Sequence, residues 1–189
     1  MNGLVLVGGR SSRMGKDKSQ LIYREKPQWK YLYELLEPFC EKVFLSCREQ
    51  QRLLFPFEDT LIDSYEIGPL GGILSAFEYN SNTAWLVVAC DMPFVNKETI
   101  EWLQKHRKKS CTATTFKNPE TMLPEPLLTI WEPSVYPFLN EAQQQNQRSP
   151  LRILLNTKSN LINCPQAYWL SNVNTLEEYK MLMMNYLGK

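Results

Sequence analysis

The sequence predicts an α/β fold of three layers, in which a mostly parallel β-sheet is covered by helices on both faces. Three observations carry this. Two short apolar runs, NGLVLV at 2–7 and WLVVAC at 85–90, read as strands buried on both faces, as central parallel strands are. Each run stops at a turn-forming segment, Gly8-Gly9 and Asp91-Met92-Pro93. Further strand candidates alternate with segments of helical spacing, the repeating unit of a parallel sheet.

In order along the chain, the strand at 2–7 leads into a glycine- and cation-rich loop. Pro27 then opens a helix carrying Tyr31, Leu32, Leu35 and Leu36 at helical spacing, and Pro38 ends it. A strand at 42–46 follows, and a third at 60–62 runs into Asp63 and the turn IGPLGG; Ile73, Leu74 and Phe77 then mark a helix. After the strand at 85–90, Asn96 is placed to cap a helix with Ile100 and Leu103 on one face. That helix closes in His106-Arg107-Lys108-Lys109, cations suited to a carboxyl end. Strands are expected at 112–116 and 127–131, helices at about 134–144 and after Pro150. Thr175 and Glu178 form a Thr-x-x-Glu capping box for a last helix. The polar run 143–149 reads as a surface loop, and neither an internal repeat nor a dividing linker is visible, so residues 1–189 are expected to form one domain.

Bulk properties exclude several classes. Lys plus Arg number 21 against 20 for Asp plus Glu, a net charge of +1 that offers no global field toward nucleic acid or an anionic membrane. Any polyanion site must be local. The apolar run Leu4 to Val7 has no basic flank and is too short for a signal peptide or membrane span, so a cytoplasmic location is the default expectation. Five widely spaced cysteines without a CxxC pair argue against a disulfide framework or a zinc site.

The chemistry concentrates in the first loop. Between Gly8 and Lys18 stand three glycines with Arg10, Arg13, Lys16 and Lys18, directly after a strand. Glycine lets backbone N–H groups approach phosphate oxygens, and fixed cations offset the charge of a phosphoryl group in transfer. The bland alternative is a strand-to-helix loop with solvated charges. A Walker loop is excluded by counting: five residues separate Gly9 from Gly15, and Asp17 occupies the hydroxyl position. The dinucleotide pattern G-x-G-x-x-G is absent too. Asp91, directly beyond the strongest strand, lies where open α/β sheets bind ligands, and one carboxylate there can anchor Mg²⁺ against a triphosphate. A turn-capping role before Pro93 is the alternative. The single histidine, His106, reads as a helix-end dipole partner, so a Ser-His-Asp or Cys-His arrangement is not available.

The segment LVGGRSSRMGKDK at 6–18 resembles the opening motif, approximately L-A-G-G-x-S-x-R-M-G-x-D-K, of the molybdenum cofactor guanylyltransferases. The likeness continues in order with DSYEIGPLGGILSAF at 63–77, VVACDMPF at 87–94, EPLLTIWEPS at 125–134, SPLRILL at 149–155 and NVNTLEEY at 172–179, so it spans essentially the whole chain. It implies a three-layer, Rossmann-like nucleotidyltransferase fold. The implied reaction transfers GMP from GTP to the phosphate of molybdopterin, with Mg²⁺ as cofactor and transient contact with other cofactor-biosynthesis proteins or acceptor apoenzymes.

Carried over residue by residue, the resemblance makes Arg13, Lys18 and Asp91 catalytic, with Asp91 also the metal ligand. It assigns Leu6, Val7, Gly8, Gly9, Lys18, Asp63, Gly68, Gly71, Asp91, Asn172 and Asn174 to binding the nucleotide and the cofactor. Gly68, Gly71 and Gly72 would let the chain pass close to base or ribose, although plain turn chemistry also explains them, as it does Asp63 and Asn174. Arg148 and Arg152 are candidates for the acceptor's anionic groups. LVGG and GPLGG point to guanine rather than cytosine. The chain departs from the pattern at Val7, at Ser19-Gln20 and at Ser46-Cys47-Arg48, where an asparagine is expected near Cys47, which puts one base or ribose contact in doubt. A nucleotidyltransferase using CTP or another phosphorylated acceptor, or a nucleotide-binding module without turnover, remains the alternative.

Overall fold

Alternation along the strands decides which side chain goes to which face of the sheet. The computed structural model describes residues 1–8, 18–55, 59–65 and 67–187, of residues 18 and 185–187 the backbone only. Strand β1 (Asn2–Leu6) is buried throughout: Val5 enters one apolar cluster, and Leu4 and Leu6 the other. β2 (Ile22–Arg24) and β3 (Lys26–Pro27) form a small antiparallel hairpin turned at Glu25, whose φ of 57° lies in the left-handed region. Helix α1 (Gln28–Leu36) starts directly after Pro27, and Pro38 lies in the tight 3-10 turn Glu37–Phe39 that follows it. Strands β4 (Val43–Cys47) and β5 (Thr60–Ile62) come next, then α2 (Pro69–Tyr79), β6 (Trp85–Ala89) and α3 (Lys97–Lys105). The second half runs β7 (Ala113–Lys117), β8 (Pro124–Trp131), α4 (Tyr136–Gln144), α5 (Pro150–Asn156), β9 (Ser159–Asn163) and α6 (Leu176–Leu187).

Seven strands make one sheet in the order β5-β4-β1-β6-β8-β7-β9. All neighbours pair in parallel except β8, which runs antiparallel to both β6 and β7. Helices α1 and α3 cover one face through Trp29, Leu32, Leu36, Ile100 and Leu103. Helices α2, α4 and α5 cover the other through Leu70, Ile73, Phe77, Leu139, Ile153 and Leu154. The expected three layers and mostly parallel sheet are borne out. No helix among the described residues is long and apolar enough to cross a membrane.

Local signals behave as the residues predict. Asn96 caps α3, its Oδ1 accepting the Thr99 backbone N–H at 3.0 Å. Thr175 Oγ1 accepts the Glu178 N–H at 3.1 Å and the Glu178 carboxylate accepts the Thr175 N–H at 3.4 Å, which completes the box before α6; the same carboxylate also accepts the Asn174 N–H at 2.7 Å. Three short strands were not foreseen. β2 and β3 hold three and two residues, and β9 buries only Ile162, so none carries a readable hydrophobic period.

Candidate active site

Strands β1 and β6 are parallel neighbours, yet the chain leaves β1 toward β4 and leaves β6 toward β7, on the opposite side. Connections that diverge in this way open a crevice at the carboxyl edge, where ligands of open α/β sheets bind. Gly8 lies on one bank and Asp91 on the other. The β1–β6 ladder ends there, with the Cys90 N–H donating to the Leu6 carbonyl at 3.2 Å. The N–H groups of Val7 and Gly8 both donate to the Ser46 carbonyl at 3.0 Å, which ends strand pairing and turns the chain into the loop. Of the loop itself, Gly9 and Arg13 lie outside the described residues. Lys18 is the first residue of the 3-10 turn Lys18–Gln20, and its side chain lies outside them as well.

Asp63 follows β5 on the same edge. Its N–H donates to the Cys47 carbonyl at 2.8 Å, and its Oδ1 accepts the Tyr65 N–H at 3.0 Å, an Asx turn. The carboxylate is packed on the first turn of α2: a Cβ on Gly71 would lie 2.3 Å from Asp63 Oδ1, and one on Gly72 2.4 Å from Ser46 Oγ. At Gly71 and Gly72 the absent side chains leave room for the side chains of Asp63 and Ser46. Gly68 differs. At φ 73° it adopts a conformation that side chains resist, with open space on its exposed side.

Asp91 is half-buried, and its carbonyl accepts the Val173 N–H at 2.8 Å. That bond draws the segment before α6 onto the rim. Buried Val173 is flanked by exposed Asn172 and Asn174, so both asparagines are brought near Asp91. Val173 also packs with Leu21 and Tyr23 under Tyr179, Leu182 and Met183 of α6. Arg148 and Arg152 are exposed at the start of α5.

Sequence reasoning missed two groups beside Asp91. Glu125, at the start of β8, is 9% exposed, and its Oε1 accepts the Leu127 N–H at 3.0 Å. Burial pushes its carboxyl up from the ordinary range; the Leu127 N–H opposes this, and the charge of Asp91 adds to it. Its position at the head of the EPLLTIW strand was the available signal. Tyr23, on the three-residue β2, offered none.

The donor set suits a hard cation held mainly by substrate. Among the described residues, no group of three or more His, Cys, Asp or Glu could hold a metal alone. Mg²⁺ accepts one or two carboxylates plus phosphates and water, so Asp91 fits that role and a dedicated protein cage is not needed. Near where an asparagine was expected, Cys47 is fully buried, and burial pushes its thiol up to about 11.

Gly8 and Asp91 follow the neighbouring strands β1 and β6 at the carboxyl edge of an open α/β sheet, the edge at which the Rossmann-like class of folds binds its ligands. The chain belongs to the family of MobA-like NTP transferase domains, which matches residues 3–160. It is 36% identical over 180 residues to a molybdenum cofactor biosynthesis bifunctional protein of Synechocystis sp., a match covering 94% of this chain but only 52% of that protein. The chain therefore spans about half the length of that relative. It is 27% identical to a molybdenum cofactor guanylyltransferase of Pseudomonas putida over 177 residues, 91% of this chain and 92% of that one. In structure it matches molybdopterin-guanine dinucleotide biosynthesis protein A from Archaeoglobus fulgidus with a TM-score of 0.82 and 25% identity over the whole of both chains. The family likeness and the enzyme class expected from the opening motif are borne out.

Proposed function

We propose that the chain, acting as one domain over residues 1–189, transfers GMP from GTP to the phosphate of molybdopterin and releases pyrophosphate. The observation that carries this reading is the position of Gly8 and Asp91 just past the ends of the neighbouring strands β1 and β6, in a chain that aligns with a guanylyltransferase over nearly its whole length.

In this reading, Leu6, Val7, Gly8 and Gly9 line the triphosphate, and Arg13 and Lys18 offset its growing charge. Asp63, Gly68 and Gly71 form the base and ribose side, and Asn172 and Asn174 face the acceptor. Mg²⁺ held by Asp91 supplies charge neutralisation on the phosphates. The acceptor phosphate is already ionised at neutral pH, so it can attack the α-phosphorus without a protein base. That suits a chain whose one histidine, His106, lies at the end of α3 with Nδ1 2.8 Å from the Trp102 carbonyl. Catalysis then consists of alignment and charge stabilisation. The reaction is taken to be cytoplasmic, where GTP is abundant, with handover to other cofactor-biosynthesis proteins or acceptor apoenzymes.

The test is pyrophosphate release by the purified protein with each nucleoside triphosphate, Mg²⁺ and molybdopterin. GTP-selective release that Asp91→Ala lowers by roughly 10²–10³ or more supports the reading. A second reading, with CTP as donor, is kept by the burial of Cys47 where a polar base or ribose contact was expected. CTP-selective release would decide for it.

A further inference from the structure

Beyond β6 the chain presents three successive carbonyls, and each accepts a donor from a different element. The Asp91 carbonyl takes the Val173 N–H before α6 at 2.8 Å, that of Met92 takes the Gln28 side-chain amide of α1 at 3.2 Å, and that of Pro93 takes the Arg24 guanidinium of the β2–β3 hairpin at 2.7 Å. We propose that Gln28, with Arg24 beside it, is a positioning residue that fixes the turn carrying Asp91 and so sets its carboxylate against the metal and the triphosphate. The inference rests on the reading above in which Asp91 holds Mg²⁺.

Gln28 is 1% exposed, at the start of a helix whose other buried residues are Trp29, Leu32 and Leu36. An amide withdrawn from water is costly unless it is bonded, and leucine or methionine at that place would carry no such cost. What the amide adds is the bond to Met92. Without it the Met92 carbonyl would keep the Val95 N–H at 3.5 Å, a long contact that holds the turn weakly. Arg24 is braced in its own place: its guanidinium lies 4.5 Å from the Tyr31 ring centroid, and the Tyr31 hydroxyl donates to the Val95 carbonyl at 3.1 Å.

The other end of Gln28 reaches the first loop. As the first residue of α1 its N–H has no partner within the helix, and it donates to the Leu21 carbonyl at 2.8 Å. Leu21 directly follows the 3-10 turn Lys18–Gln20, where that loop ends. One buried residue thus ties the segment bearing Lys18 to the turn bearing Asp91, the two groups assigned above to the triphosphate and its metal. Gln28 is too deep to touch substrate, so its effect passes through Asp91.

The experiment is calorimetric titration of GTP, once with Mg²⁺ and once with EDTA, into the wild-type protein, Gln28→Met, Arg24→Met, Tyr31→Phe and Asp91→Ala. Thermal midpoints and kcat for pyrophosphate release are measured alongside. Gln28→Met keeps the length of the side chain and the backbone N–H but deletes the amide donor. It should lose about 10–100-fold in Mg²⁺-dependent affinity and in kcat, and stay within about twofold of the wild type in EDTA. Arg24→Met, at a half-buried position, should show the same selectivity and decides the matter if Gln28→Met does not fold. Tyr31→Phe removes a bond to Val95, outside the three carbonyls, and should lower the midpoint while leaving Mg²⁺-dependent affinity unchanged. Wild-type affinity with Mg²⁺ in Gln28→Met or Arg24→Met overturns the positioning role, as does an equal loss with Mg²⁺ and with EDTA, or an equal loss in Tyr31→Phe. Mg²⁺-dependent binding that survives Asp91→Ala, or is absent from the wild type, overturns the reading of Asp91 as metal ligand and the inference with it.

Discussion

The backbone N–H of Val173 donates to the carbonyl of Asp91 at 2.8 Å, joining the segment before the last helix to the rim of the sheet. This bond fixes the backbone on either side of which exposed Asn172 and Asn174 stand, neither of them in a strand. Val173→Pro deletes the donor. We expect kcat/KM for pyrophosphate release to fall about tenfold or more, while losing one bond of about 0.5–1.5 kcal/mol costs only a few degrees in thermal midpoint. Unchanged kinetics would mean that the asparagines do not act at this site.

Gly71 and Asp63 interlock, since a Cβ on the glycine would meet the carboxylate at 2.3 Å. Gly71→Ala should destabilise the protein by about 1–3 kcal/mol in urea unfolding and raise KM for the triphosphate. In an Asp63→Ala background the same substitution should cost much less, because the clash is gone. Additive costs would count against the interlock.

Arg107 and Glu132 form a bidentate pair at 2.6 and 2.9 Å, with the carboxylate side chain 4% exposed and the guanidinium 21%. Removing the arginine strands the deeper charge. Arg107→Ala is expected to cost about 3 kcal/mol, more than Glu132→Ala, with kcat/KM unchanged in both. The reverse order in denaturant titrations would refute this account.

Glu125 has a folded-state pKa raised above 4.5 by burial, so folding holds its proton more tightly than the unfolded chain does. Its ionisation penalty is absent below the ordinary carboxylate range and grows as pH rises toward the raised value. Glu125→Gln keeps an oxygen to accept the Leu127 N–H and should therefore be more stable than the wild type at pH 8. That advantage should shrink as pH falls toward about 4.5. Chemical unfolding at the two pH values checks this, and a gap that widens on acidification would contradict it.

What could be read from the residues beforehand was local. The runs around Val5 and Val87, the Asn96 cap and the Thr175 box each depend on neighbours within a few positions. The position of Asp91 at a strand end was equally legible, because β6 is apolar until it stops. Strand direction was not, since the residues of β8 read the same whether it runs parallel or antiparallel. Nor was the packing partner of Gly71, the Asp63 carboxylate eight positions back, which only the fold brings against the first turn of α2. Tyr23 and Val173 escaped notice for the same reason: their meaning arises only where the hairpin, the rim and α6 converge.

That convergence has a consequence in time. The Tyr179 hydroxyl donates to the Ile22 carbonyl across 157 positions of chain. A ribosome adding ~5–20 residues per second makes the hairpin wait roughly 8–30 s for its cover. Until then Asp91 has no Val173 to brace it, and Tyr23 has no Tyr179 beside it. The crevice is therefore finished only once α6 has been made, and a chain that stops short of it can fold its sheet well before it can present a complete rim.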